Sequence, residues 1–196
     1  MQGGNPRIVQ LAPDGASARV VTSGGYLLMP AGMCFRTDGQ LYACETIQYP
    51  AGGGGGLVQI NPASGAQRAI ASNALLVGPF HVAVAPDGTL WSVQFGGLSQ
   101  RRNACVVRTR ITDGYSEQMT MFECTGYGIA IRGDGTTVVG ECARIQGDCM
   151  GQSDLYVAEY PSGTQSWGYS GPVAVVPEFS TPVLRRSWGG LKAVYR

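Results

Sequence analysis

The chain has little of what several functional classes require. Charged residues make up only 14% of its 196 residues and the net charge is +1. That is too sparse for the basic stripe that grips nucleic acid. Arg101-Arg102 and Arg185-Arg186 are isolated pairs and read as solvated loop charges. No apolar run approaches the roughly 18 residues that a membrane-spanning helix needs. No charged-then-apolar leader stands at the N-terminus, where Met1-Gln2-Gly3-Gly4 reads as the start of a mature or trimmed chain. Helical periodicity is lacking throughout. There is a single histidine, His81, and no Cys-x-x-Cys pair, so zinc spacing is missing. The glycine run 52–56 is followed by Leu57 and not by Lys-Ser or Lys-Thr, which excludes a phosphate loop.

What is present is turn chemistry: 30 glycines and 11 prolines, the composition of many short strands. The turns repeat. An inner unit of strand, Asp-Gly turn and strand appears at Met33 to Tyr42, at Val82 to Trp91 and from Ile129 onward, 49 and 47 residues apart. A degenerate fourth copy begins near Gly171-Pro172-Val173. An outer unit turns at Pro13-Asp14-Gly15, Asn61 to Gly65, Thr112-Asp113-Gly114 and Tyr160 to Gly163. A period of roughly 45–50 residues built from four short strands reads as an all-β fold, a β-propeller.

The expected architecture is one domain over residues 1–196. It has four blades, near 31–72, 79–123, 127–168, and 172–196 combined with 7–21. The first outer unit precedes every inner unit. The N- and C-terminal strands are therefore expected to share a blade and close the ring, which removes exposed edges. The alternatives are a piece of a larger ring, or a ring completed by other copies.

Six cysteines suggest three local bridges: Cys34–Cys44 across an inner hairpin, Cys105–Cys124 flanking an outer hairpin, and Cys142–Cys149 bracketing a short loop. Other pairings, and reduced cysteines acting as small apolar residues, stay open. Disulfides imply a secreted or periplasmic protein.

Ala85-Pro86-Asp87-Gly88-Thr89-Leu90-Trp91 and Ile60-Asn61-Pro62-Ala63-Ser64-Gly65 resemble the repeat units of NHL-repeat propellers, and within them the virginiamycin B lyase-like group. The likeness covers most of the chain. In a propeller the residue six past the inner turn glycine reaches the channel rim. Here it is Glu45, Gln94 and Glu141. The lead-in segments bring Pro30, Gly32, His81, Tyr127 and Gly128 to the same rim. The resemblance to the lyases implies His81 as a base, with Glu45 and Glu141 as ligands of magnesium or of substrate. A possible Mg or Ca in the central channel is the only cofactor implied. The resemblance to NHL-type blades implies something plainer, an acid that caps backbone amides of a neighbouring lead-in loop. Gln94 fits the second role better, because a neutral amide caps well and binds cations poorly. The lyase group also uses more than one histidine, and this chain has one.

Candidate binding residues are Gln94, Tyr127, Arg144 and Asp148. The last two lie in the loop from Cys142 to Ser153, and loops on a rigid scaffold are where recognition concentrates. Tyr42, Trp91 and Tyr156 are expected to pack blade on blade. The sequence favours a secreted, non-enzymatic binding or structural module that contacts another protein or its own copies. The alternatives are a divalent-cation-dependent lyase or lactonase-like hydrolase at the channel, and a glycan-binding propeller. An enzyme requires Glu45, His81 and Glu141 within about 6 Å of a common point.

Overall fold

A computed structural model describes residues 5–46, 55–94, 105–121, 126–135, 137–142, 155–160 and 165–167. Among them every regular element is a strand: β1 (Arg7–Leu11), β2 (Ala18–Ser23), β3 (Pro30–Phe35), β4 (Leu41–Glu45), β5 (Gly56–Ile60), β6 (Gln67–Ala71), β7 (Pro79–Val84), β8 (Leu90–Gln94), β9 (Cys105–Thr109), β10 (Ser116–Met121), β11 (Gly126–Ile131), β12 (Thr137–Cys142), β13 (Leu155–Tyr160) and β14 (Gln165–Trp167). They form one two-stranded sheet, β1-β2, and three four-stranded meanders, β3 to β6, β7 to β10 and β11 to β14. The fourth inner unit, residues 172–196, lies outside the described residues.

The Asp-Gly signals act as expected in the inner hairpins. Gly39, Gly88 and Gly135 all have φ near +80° (79°, 81° and 87°), a conformation that glycine adopts without steric cost. Asp38 Oδ1 accepts the Gln40 N–H at 3.0 Å, and Asp87 Oδ1 accepts the Thr89 N–H at 2.9 Å. Such short carboxylates fold the backbone back on itself.

The first two meanders are apolar on both faces, as strands buried on both sides must be. In β4, Leu41 and Ala43 face β1-β2, where they meet Ile8, Leu27, Val58 and Ile60. Tyr42 and Cys44 face the other way and pack with Leu57, Val82, Leu90 and Val107. The next interface repeats the plan, with Val93 and Val106 against Ile129 and Val139, and Trp91 half-buried beside them. Tyr42, Leu57, Leu90 and Val93 are wholly buried. Each such side chain contributes about 1.5–3 kcal/mol.

The innermost strands come very close. A Cβ added to Gly32 of β3 would lie 2.5 Å from His81 Cδ2, 2.6 Å from His81 Cα and 2.7 Å from the Phe80 carbonyl. Outer turns also abut the preceding sheet. A Cβ on Gly65 would lie 2.5 Å from the Val21 carbonyl, and one on Gly114 would lie 2.3 Å from that of Ile70. Gln67 fixes the first of these seams by donating to Thr22 Oγ1 at 2.7 Å and accepting the Tyr26 N–H at 2.8 Å.

One seam differs from the others. Gly15, the counterpart of Gly65 and Gly114, has nothing within 4 Å. Val9 and Leu11 are 42% and 66% exposed, whereas their repeat counterparts Val58 and Ile60 are fully buried. Met33 is 43% exposed, whereas its counterparts Val82 and Ile129 are 0% and 1%. Phe35 and Val20 are also exposed, at 66% and 50%.

The tight approach of β3 to β7 generates a prediction. Gly32→Ala should destabilise the fold by about 3 kcal/mol, the upper range for overpacking, because two of the three atoms in the way are backbone. Urea unfolding of the variant against the parent chain would measure it.

Candidate functional site

The three rim positions are equivalent in backbone register. Glu45 pairs with Pro30, Gln94 with Pro79 and Glu141 with Gly126. Their environments are distinct where the side chains are described. Glu45 has no exposed surface. Its Oε2 accepts the Leu28 N–H at 2.7 Å and its Oε1 accepts the Met29 N–H at 2.5 Å. Both oxygens hold the segment that leads into β3 of the same sheet, rather than a neighbour's lead-in. Thr46 ties the same segment from the other side, with Oγ1 donating to the Met29 carbonyl at 2.8 Å. A carboxylate taking two amide protons in this way is a strong, charge-assisted clamp.

Gln94 is 1% exposed. Its Nε2 donates to Ser92 Oγ at 2.9 Å, and its Oε1 is buried without a partner. It therefore presents nothing at the rim surface. Glu141 and Tyr127 lie on β12 and β11, but their side chains fall outside the described residues. Arg144 and Asp148 fall outside them entirely, as do the loop 143–154 and the glycine run up to residue 54.

His81 is half-buried and pairs with Val93 of β8. That register turns its ring toward β11, where it meets the Ile129 backbone. Its Nδ1 is buried with no partner. At the equivalent positions of the neighbouring inner strands stand Gly32 and Gly128, so the imidazole occupies room that two glycines leave. Burial lowers its pKa, and the hydrogen bond with Ile129 opposes that shift. Glu45 points from β4 toward β1-β2, on the face of Leu41 and Ala43, whereas His81 points from β7 toward β11. The Glu45 carboxylate and the His81 imidazole lie on opposite faces of their own sheets.

No group of three or more His, Cys, Asp or Glu side chains assembles among the described residues. Nor does the Glu45 donor set fit a magnesium or calcium ion, because both of its oxygens are held by backbone amides.

Cys34, Cys44 and Cys105 carry free thiols, where the sequence suggested bridges. The register supplies the reason for the first pair. Cys34 lies opposite Tyr42, after a bulge between Pro30 and Met33, so Cys44 is its diagonal neighbour. Diagonal neighbours stand roughly 7–8 Å apart, too far for a disulfide. Both thiols enter the apolar seam against β7 and β8. Burial pushes Cys34 up to about 12 and Cys105 up to about 11, and it raises Cys44 well above the usual thiol range. Cys124 and Cys149 lie outside the described residues, as does the side chain of Cys142.

Two measurements follow. Glu45→Ala should cost about 3 kcal/mol by denaturant unfolding, because two amides lose a charged acceptor. Glu45→Gln should lose less, since one acceptor oxygen remains. For His81, the folded pKa lies below the unfolded value near 6.5. The unfolded chain then binds the extra proton first, so stability should fall as pH drops through that value and below. A thermal melting series from about pH 8 to 5 should show this slope, and His81→Gln should flatten it.

No family model matches the chain, and no curated protein does. Several solved structures share its fold. The nidogen/laminin complex aligns with a TM-score of 0.61 at 11% identity, covering 83% of this chain and 58% of that one. TolB from Acinetobacter baumannii aligns at 0.57 and 14%, covering 83% and 37%. A putative gluconolactonase aligns at 0.53 and 18%, covering 83% and 55%. The chain therefore spans between 37% and 58% of the length of these proteins. At such identities the likeness is one of fold, a distant structural similarity to β-propeller-like proteins.

Proposed function

We propose that the protein is a non-enzymatic β-propeller module of the NHL-repeat type, related to the virginiamycin B lyase-like group. Its ring has four blades, and it acts through contacts with another protein or with its own copies outside the cytoplasm. The observation that carries this reading is the use made of Glu45. The carboxylate best placed to serve chemistry at the channel is spent on Leu28 and Met29, and His81 faces away from it. An architectural repeat explains both residues without a substrate.

Contact with further chain is supported by the open seam. Val9, Leu11 and Met33 expose apolar surface at positions whose repeat counterparts are buried, and surfaces of this kind mark interaction sites. In the proposed ring, strands from residues 172–196 pair beside β1 and cover Met33, and the third meander covers Val9 and Leu11. The alternative, a divalent-cation-dependent lyase or lactonase-like hydrolase, would need Glu45 released from its amides. A glycan-binding surface would need exposed aromatics at the rim, and Tyr42 is wholly buried in a seam.

Light scattering on the parent chain, Leu11→Glu and Met33→Glu tests the contact. If the chain fills its own seam, all three are monomers of 20.6 kDa and the variants lose about 2 kcal/mol or more of stability. If copies fill it, the parent is a dimer or larger and the variants dissociate. Monomers of unchanged stability would overturn the reading. So would magnesium-dependent opening of a lactone or cyclic ester that disappears in His81→Gln.

A further inference from the structure

The sheet β1-β2 is the outer half of a four-stranded unit. In β5-β6 the register slips between Leu57 and Val58, and in β9-β10 it slips at Val106 and Val107. In β1-β2 it slips between Ile8 and Val9. The outer turns agree, since the Ala12 N–H bonds the Ser17 carbonyl as the Asn61 N–H bonds that of Ala66, both at 2.9 Å. Strand β1 therefore corresponds residue by residue to β5, with Ile8 as Leu57, Val9 as Val58 and Leu11 as Ile60. In the first meander that third strand pairs on both edges, with β4 and with β6. Among the described residues β1 pairs only with β2. Its inner edge is an unpaired row of backbone donors and acceptors, the feature that takes up a further strand.

Residues 168–196 lie outside the described residues, and their sequence offers two frames for the missing inner pair. In one, Gly171-Pro172-Val173 opens the first strand, and Pro177 stands where Pro86 does. The second strand is then 181–185, with Pro182 at the place of Tyr42 and Trp91. A strand paired on both edges uses every N–H, and proline has none. In the other frame, residues 183–195 run beside residues 33–45 without a gap. Gly189 falls on Gly39, Gly88 and Gly135, which all have φ near +80°, the conformation that favours glycine. Leu191 falls on Leu41 and Leu90, and Ala193 on Ala43 and Ser92, all four of which are buried. Pro182 now falls at the start of the first strand, which pairs along one edge only and where Pro30 and Pro79 already stand, a place where proline is tolerated.

We propose that residues 183–195 of the same chain are the inner hairpin that completes the β1-β2 sheet, with residues 191–195 antiparallel to β1. The inference rests on the ring closure proposed above, and it fixes the segment and its register. In β4-β5, Leu41 stands opposite Ile60, Ala43 opposite Val58 and Glu45 opposite Gly56. The same register sets Leu191 opposite Leu11, Ala193 opposite Val9 and Tyr195 opposite Arg7. Leu191 and Ala193 then share a face with Leu11 and Val9, the face that the repeat buries. Lys192 takes the place of Tyr42 on the other face. There its aliphatic stem covers Met33, as Tyr42 packs with Val82. Pairing within one chain costs loop closure, which grows slowly with length. Association with a second copy costs translational and rotational freedom in addition.

Paired cysteine substitutions in the full chain separate the two frames. Val9→Cys with Ala193→Cys puts two thiols directly opposite on neighbouring strands, within disulfide reach. In the frame that starts at Gly171, Val183 stands opposite Val9, so Val9→Cys with Val183→Cys is the competing pair. Both variants are treated with oxidised glutathione, and peptide mass mapping without reduction locates the bridge among those of the native cysteines. The expected result is a bridge between positions 9 and 193 in a monomer of 20.6 kDa. A bridge between positions 9 and 183 alone would overturn this hairpin and leave ring closure standing. A bridge between positions 9 and 193 in dimers only would assign the seam to a second copy and overturn the proposal. No bridge from position 9 to either residue would overturn the hairpin and ring closure together. If the substitutions lower the melting temperature, amide hydrogen exchange of the parent chain gives a second reading. Lys192 to Val194 should then exchange about tenfold or more slower than Glu178 to Ser180, which this frame leaves outside the hairpin. Equal exchange of the two stretches would also overturn the proposal.

Discussion

The constraint on which this structure depends is that its sheets are apolar on both faces. A meander of four short strands with Leu41 and Ala43 on one side and Tyr42 and Cys44 on the other cannot stand alone in water. It must have a sheet against each face. In the three described meanders the first strands come close to one another. Gly32 against His81 is the result, a contact that leaves no room for a single methyl group. The polar features serve the same arrangement. Glu45 clamps the lead-in to β3, and Gln67 ties an outer turn to the preceding hairpin.

Much of the fold was legible in the sequence, because its signals are local. The Asp-Gly turns at residues 38–39, 87–88 and 134–135 set the inner hairpins, and their spacing set the repeat. The equivalence of Glu45, Gln94 and Glu141 followed from counting along that repeat, and the strand register places all three alike. The expectation that Tyr42 packs between sheets holds for the same reason, since period-two alternation fixes which face a residue takes.

What was not legible depends on direction and on small irregularities. Two residues counted to the same rim can point to opposite sides of their sheets, and Glu45 and His81 do. Their separation rests on which strand partner each one faces. The register set by the turn puts Cys34 opposite Tyr42 and leaves Cys44 on the diagonal.

Every strand pairing among the described residues joins neighbours in the chain. A unit of this length could be duplicated or deleted between β6 and β7 without breaking a single pairing, because no strand crosses from one meander into another. What would have to change is the angle between successive sheets, and hence the width at the axis, where Gly32 and His81 now touch. The number of repeats is thus a variable that duplication can alter in one genetic step, with that central contact as the part that must be rebuilt.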